Sequence, residues 1–440
     1  MKYAISLIIT FAFISCSLEP TYKASSPIEL EKSDNKSQIK WKSFFKDAEL
    51  KKLIETGLSQ NRDLRIAYLN IESAKAMYGV QRSYLLPSVN AVASETRGSP
   101  STSPVYKVGV GITAYELDLF GRIKSLKKSA EASILGNIEA KNIIEIALIS
   151  EIASTYLQVL TDTKNLEILE EMLSLQEENY KMLSLNYQHG LTSNAELLTL
   201  QLEMENAKMN KENAAVNLEK LKNALSVLLG SANYEILPNA SSGKEMIDES
   251  LLTSVPSETL LARPDVKRAE YNLKSANANI GVARAAFFPS ISITGFLGFA
   301  SNDLSNLFSN NAWSFAPSIT MPIFAWGKNK NNLNYAEIQK DVRIMEYEKA
   351  IQVSFKETLD ALMIRKAMLN QVQFSENIST KSNQMYDISK MQFESGLASK
   401  TMVNSSKINL LLAKKSENTS RNNYLQSLIT LYKTMGDAEI

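Results

Sequence analysis

The 440-residue chain holds one cysteine and one histidine. One cysteine excludes an intramolecular disulfide, and one histidine leaves most metal and acid–base sites short of ligands. Neither charge sign dominates: 48 Lys plus Arg face 47 Asp plus Glu, so no global field would gather nucleic acid. Hydrophobic residues make up 44% of the chain, yet no internal run reaches the roughly 18 apolar residues of a spanning helix. P-loop, dinucleotide-binding turn and triad-like groupings are absent. No catalytic residue and no metal site is expected.

Proline and glycine are missing over long stretches. Residues 122–187 contain no Pro and only Gly136, and residues 328–395, 191–229 and 397–435 contain neither. A helix interior loses about 1 kcal/mol to Gly and about 3 kcal/mol to Pro, so such gaps predict very long helices. Sixty-odd residues at 1.5 Å each give a helix on the order of 100 Å, too long for a compact globule. In the segment after Gly190, positions Leu200, Met204, Ala207, Lys211, Ala214, Leu218, Leu221, Leu225 and Leu228 recur at spacings of 4 and 3. That 3.5-residue repeat predicts left-handed knobs-into-holes packing. A parallel coiled-coil rod would explain this seam but not what accompanies it.

What is present comes twice. Asp63–Ser88 aligns with Asp265–Ser290 at an offset of 202, and 11 of the 26 positions are identical. Further on the offset is 206, and it matches Gly121 with Gly327, Gly190-Leu191 with Gly396-Leu397, and Gly230 with Gly436. A unit of this length is half of one fold, since stacked solenoid repeats run roughly 20 to 50 residues. Each half also carries two segments of period two. Ser88–Arg97 is one, and Tyr106, Val108, Val110, Ile112 and Ala114 alternate with small or polar residues in the next. Ile291, Ile293, Gly295, Leu297 and Phe299 do so in the second half, followed by Trp313, Phe315, Ile319 and Met321. These have the length and alternation of transmembrane β-strands, with Tyr106, Tyr115 and Trp313 placed for an aromatic girdle. Pro317 lacks a ladder donor and belongs at a bulge or strand end. Four strands cannot close a membrane barrel, so copies must share one: two would give eight strands and three would give twelve. A soluble sandwich edge would leave the extreme helices unrelated.

The lone cysteine ends a short leader. Lys2 precedes an apolar run from Ala4 to Ile14, and Phe13-Ile14-Ser15-Cys16 follows. The run has the length of a secretory signal peptide, and its end resembles a bacterial lipobox. Cys16 is the expected lipidation site, carrying a diacylglycerol and a fatty acyl chain in place of any other cofactor. Ser17 fits sorting to the outer membrane.

In order and spacing, the motifs resemble the TolC-like outer-membrane factor family, in the lipoprotein branch that serves resistance–nodulation–division (RND) efflux pumps. They begin with Cys16-Ser17-Leu18-x-Pro20-x-Tyr22, Trp41-x-x-Phe44-x-x-Asp47-x-x-Leu50 and Asn61-Arg62-Asp63-Leu64. Leu117-Asp118-Leu119-Phe120-Gly121-Arg122, Leu261-x-Arg263-Pro264-Asp265-Val266, Phe288-Pro289-Ser290 and Pro322-Ile323-Phe324-Ala325-Trp326-Gly327-Lys328 continue it. The resemblance covers essentially the whole chain. It implies an internally duplicated α+β membrane protein, a homotrimer with a shared 12-stranded transmembrane β-barrel and a long-helix periplasmic tunnel. The implied division is a signal peptide 1–15, a lipidated segment 16–60, repeats 61–230 and 263–436, an equatorial linker 231–262 and a tail 437–440.

On that basis the chain is expected in the outer membrane of a Gram-negative bacterium, as the passive exit duct of a tripartite pump. Its implied partners are outer-membrane lipid, a periplasmic adaptor (membrane fusion) protein and an inner-membrane RND pump. The turns Gly190-Leu191-Thr192 and Gly396-Leu397-Ala398 are the implied adaptor contacts. Some family members close the tunnel with acidic rings six and nine positions after the second turn glycine, where this chain has Met402 and Ser405. Glu196 and Thr199 are the first-half equivalents, so Glu196 and Met402 are the candidate gate residues. His189 faces Ser395 across the repeat, which argues against a metal role. The alternatives are a type I protein secretion duct and a lipid-anchored periplasmic scaffold without a pore. Fifteen methionines would suit a copper or silver pump, but helix-seam packing explains them more simply.

Overall fold

The computed structural model describes residues 18–22, 39–98, 103–231, 246–252 and 260–435. The leader 1–15, Cys16, most of the linker 231–262 and the tail 437–440 lie outside the described residues. Helices α1 (Trp41–Phe44), α2 (Ala48–Gln60) and α3 (Arg62–Ser83) precede strands β1 (Val89–Thr96) and β2 (Val105–Leu117). Helices α4 (Arg122–Gln188) and α5 (Asn194–Leu229) complete the first half. The second half runs α6 (Pro264–Ala285), β3 (Ser290–Ser301), β4 (Asn311–Thr320), α7 (Lys328–Glu394) and α8 (Lys400–Met435). The halves match in length: α4 and α7 have 67 residues each, α5 and α8 have 36 each.

Two compact units arise, and both halves contribute to each. One comprises Ala67–Lys141 and Pro264–Ile351 with residues 18–22, and it contains the sheet. The other comprises the described residues of Leu30–Ile66, Asn142–Arg263 and Gln352–Ile440.

The second unit holds the main core. Trp41, Phe44 and Phe45 are buried with Leu50, Leu53 and Ile54, and Phe44 stacks on Tyr432 with ring centroids 4.8 Å apart. Asp47 caps α2 by accepting from the Leu50 amide at 2.7 Å, which accounts for the acid in the Trp41-to-Leu50 motif. Asn61 joins two helix ends. Its Oδ1 accepts from the Leu64 amide at 3.0 Å, opening α3, and its Nδ2 donates to the Leu228 carbonyl at 2.9 Å, closing α5. Gly230 (φ +68°) lies so close that a Cβ would meet the Gln60 carbonyl at 2.4 Å. The seam expected in α5 is present, with Met204, Leu218 and Leu225 buried and the rest half-buried. Helix α4 contains an 18-residue window of mean hydropathy 1.5, and 61% of that window is buried in the structure. Ile146, Ile149, Ile152 and Tyr156 of α4 belong to the core.

The sheet has the order β1-β2-β3-β4, antiparallel throughout, so the halves meet at β2 and β3. In its register, Val89 faces Ile112 and Ile291 faces Ile319, which places β4 at an offset of 319 − 112 = 207 from β2. The connection in the second half is therefore five residues longer. It includes a short 3-10 helix, Leu304–Ser309. A bulge in β2 between Ile112 and Tyr115 takes one residue back and leaves the offset of 206.

Candidate functional site: a two-faced sheet and paired helical turns

The register resolves the sheet into two chemically distinct faces. One carries Val108, Val110, Ile112, Ile291, Ile293, Leu297, Trp313, Phe315 and Ile319. The other carries Ser94, Lys107, Gly109, Gly111, Ser292, Thr294, Ser314 and Ser318, with Val92 and Phe296 as large apolar members. Among the described residues the apolar face is open in its middle and along β4, with Leu297 65%, Trp313 78% and Phe315 62% exposed, while Phe308 packs on Phe299 at its end with ring centroids 5.6 Å apart. The polar face is kept shallow by glycine, since a Cβ on Gly109 would lie 2.4 Å from the Leu297 carbonyl.

One expectation needs correction. The period-two reading placed Ala114 on the apolar face, but Ala114 lies in the β2 bulge with φ +50° and its amide donates to Thr294 Oγ1 at 3.2 Å. Tyr115 takes the apolar position opposite Ile293, and its hydroxyl donates to the Leu85 carbonyl at 2.8 Å. The adjacent Ala114-Tyr115 pair, which breaks strict alternation, was the available signal. Pro317 pairs with Ile293 in unbroken register, so no bulge accommodates it; β4 is the terminal strand of the chain's own sheet.

Below β2 the chain enters α4 through a built corner. Asp118 accepts from the Ile123 and Lys124 amides at 3.0 and 2.8 Å, and Gly121 supplies φ +72°. Arg122 closes the corner by bonding Glu116 at 2.8 Å. Phe120 stacks on Phe288 at 4.7 Å. The second-half corner has Phe324 where Asp118 stands and Trp326 where Phe120 stands; both are almost fully exposed.

The two turns of the second unit have the same backbone. Gly190 and Gly396 both have φ +73°. In the first turn Gly190 donates to the Tyr187 carbonyl and Leu191 to the Asn186 carbonyl, each at 2.9 Å. In the second, Gly396 donates to Phe393 at 2.9 Å and Leu397 to Gln392 at 2.8 Å. This paired bonding is the Schellman arrangement, which needs a left-handed residue and favours glycine. The leucine that follows is left outward, Leu191 at 75% and Leu397 at 81% exposure. Thr192 and Ala398 come next, and then the helices diverge in chemistry.

Helix α5 starts with a capping box. The Glu196 amide donates to Ser193 Oγ at 3.2 Å, and the Ser193 amide donates back to Glu196 Oε2 at 3.1 Å. The Thr192 hydroxyl also donates to that carboxylate. The Thr192 and Ser193 bonds hold the Glu196 carboxyl below its ordinary range. Helix α8 has only half of this device, with the Met402 amide donating to Ser399 Oγ at 3.2 Å and the Met402 side chain exposed. Sequence reading paired Glu196 with Met402 by position but missed that the glutamate serves as a cap.

Residues 18–22 are fastened to the rest of the sheet-bearing unit. Asn277 Nδ2 donates to the Pro20 carbonyl at 2.9 Å, and Lys128 pairs with Glu19 at 2.6 Å. The Tyr22 hydroxyl donates to Glu270 at 3.3 Å, and burial together with that carboxylate pushes its pKa well above the usual tyrosine range. Among the described residues no group of three or more His, Cys, Asp or Glu side chains could hold a metal ion.

Long paired helices, a duplicated turn and a four-stranded sheet with one bare apolar face define a channel-forming protein of the outer membrane. The family model for outer membrane efflux proteins matches residues 53–231 and 255–437, and the chain belongs to that family. It is an outer-membrane efflux channel with the TolC-like fold. It is 34% identical to the antibiotic efflux pump outer membrane protein ArpC of Pseudomonas putida, over 99% of this chain and 95% of that one. Identity to the solvent efflux pump outer membrane protein SrpC of the same species is 36%, over 90% of this chain and 87% of that protein. The crystal structure of the open state of the Neisseria gonorrhoeae MtrE outer membrane channel superposes with a TM-score of 0.84 at 30% identity, covering 96% of this chain and 98% of that one.

Proposed function

We propose that three copies of this chain close a 12-stranded barrel by pairing β4 of one copy with β1 of the next, and that the assembly conducts small toxic compounds passively to the exterior. The bare apolar face of the sheet supports this reading, because hydrocarbon is the solvent that leaves such a face uncovered while its strand edges demand partners. Antibiotics and organic solvents are the proposed cargo, by likeness to relatives named for them. The chain performs no chemistry; an inner-membrane RND pump supplies the energy. A periplasmic adaptor contacts Gly190-Leu191-Thr192 and Gly396-Leu397-Ala398, whose outward leucines offer apolar contacts. Diacylglycerol and acyl lipid on Cys16 anchor the mature N-terminus in the outer membrane.

The closed constriction is assigned to Met402 rather than Glu196, since the Glu196 carboxylate is occupied by its cap. Adaptor contact opens the constriction by shifting the population between closed and open helix packings. Deleting the gene should sensitise cells to antibiotics and solvents, and purified protein in planar bilayers should give discrete conductance steps that Met402→Asp alters. Unchanged susceptibility together with loss of a secreted protein would replace this reading with a secretion duct. Absence of conductance would leave only a scaffold.

A further inference from the structure

The polar face of the sheet is interrupted by Val92 and Phe296. Phe296 shares a row with Gly111 and Ser314, its partners in register on either side. The next row is Val92, Gly109, Gly298 and Ala312, and the row after it sets Ser94, Lys107 and Ala300 side by side. Phe296 and Lys107 therefore stand on opposite sides of a row with two facing glycines at its centre. The Phe296 ring leans into the space that glycine leaves. A Cβ on Gly298 would meet its Cζ at 3.0 Å, and a Cβ on Gly111 would meet its Cδ2 at 3.9 Å. Val92 borders the same space, with Cγ2 at 3.2 Å from a Cβ on Gly111.

Lys107 reaches over the glycine row from the other side. Its Nζ lies 5.9 Å from the Phe296 ring centroid, at the outer limit of a cation–π contact. Among the described residues no carboxylate pairs with Lys107, so its ammonium keeps donors for a guest. The other charged strand residue on this face, Glu116, stands at the far end of β2 and is bonded to Arg122 at 2.8 Å. The fold does not require the pair. Ser94 is the first-half equivalent of Phe296 at the offset of 202, and it pairs with Lys107 as Phe296 pairs with Ser314. The duplicated positions are thus filled by Ser94 and Ser314, and the aromatic ring and the ammonium occur together once per chain.

We infer that Phe296 and Lys107 form a subsite for aromatic carboxylates on the inner wall of the barrel, with Gly109 and Gly298 as its floor. The ring of the guest packs against Phe296 and Val92, and its carboxylate accepts from the Lys107 ammonium. A neutral aromatic gains only the first contact and a small aliphatic acid only the second. An aromatic cation meets repulsion from Lys107. Three chains repeat the subsite at one level, and a ring of ammonium groups there favours anions over cations in the lumen. This inference rests on the trimeric channel reading and names a class of solute that its wall holds.

The test uses the full-length protein in planar bilayers and in lipid nanodiscs, with naphthoate as the probe. Under a KCl gradient, Lys107→Gln should move the reversal potential toward the cation side, while Phe296→Leu leaves it in place. In equilibrium dialysis, corrected with protein-free nanodiscs, both substitutions should weaken naphthoate binding, Phe296→Leu by about fivefold, the scale of one aromatic contact. Benzoate should compete with the probe and acetate should not. If the channels conduct but Lys107→Gln changes neither the reversal potential nor naphthoate binding, the subsite is overturned and the channel reading stands. Naphthoate binding unchanged in Phe296→Leu, or displaced equally by acetate, overturns the subsite as well. If the unsubstituted protein gives no conductance, both fall.

Discussion

At the scale of the residue, the two turns show how one side chain separates otherwise equal backbones. Glu196 has a depressed pKa, so the stability it lends is present above its unfolded value of about 4.3 and is lost as pH falls through the lower folded value. Acidification through that window should therefore reduce the exchange protection of the Ser193 amide, which bonds Glu196, and leave the Met402 amide on Ser399 Oγ unaffected. Glu196→Gln should keep the cap and remove the acid step, since Gln serves the same box. An acid step that persists in Glu196→Gln would assign the effect to another group.

At the scale of the element, glycine matters differently in two places with the same φ. Gly230→Ala meets both a left-handed backbone and the Gln60 carbonyl at 2.4 Å. Gly190→Ala meets the backbone cost alone, since nothing lies within 4 Å. The second substitution should cost roughly 1–2 kcal/mol and the first clearly more, read as the denaturant midpoint in detergent. Equal losses would show that the α5–α2 end joint yields freely. Helix existence was legible beforehand: the absence of Pro over 122–187, with Gly136 as the single Gly, marked α4 to within a residue, whereas the gap from 191 overran the start of α5 at Asn194. The bulge in β2 showed in the sequence only as the out-of-phase Ala114-Tyr115 pair, a weak signal because residues 113 and 114 are both small. The register against β3 and the bond to Thr294 reveal the extra residue.

At the scale of the whole molecule, the two faces of the sheet set opposite tolerances. Phe315→Arg should prevent stable membrane assembly, because a cation on the lipid face near the midplane costs about 2–4 kcal/mol. Ser314→Arg, one residue away on the polar face, should assemble normally and change conductance and ion selectivity. If Ser314→Arg fails and Phe315→Arg assembles, the faces are assigned the wrong way round. The turn glycines and their leucines could be named from the repeat alone, and the Ser193-x-x-Glu196 spacing ahead of an apolar run was the overlooked signal for the cap.

By itself the sequence determined whatever depends on local period and local breakers: four strands, the long helices and the duplicated turns. The tertiary structure decided what depends on pairing at long range. That β2 of one half joins β3 of the other, that Asn61 ties α3 to α5, and that Asn404 meets Asn179 are contacts between residues at least 160 positions apart. Periodicity places such residues on a face but cannot say which face covers it.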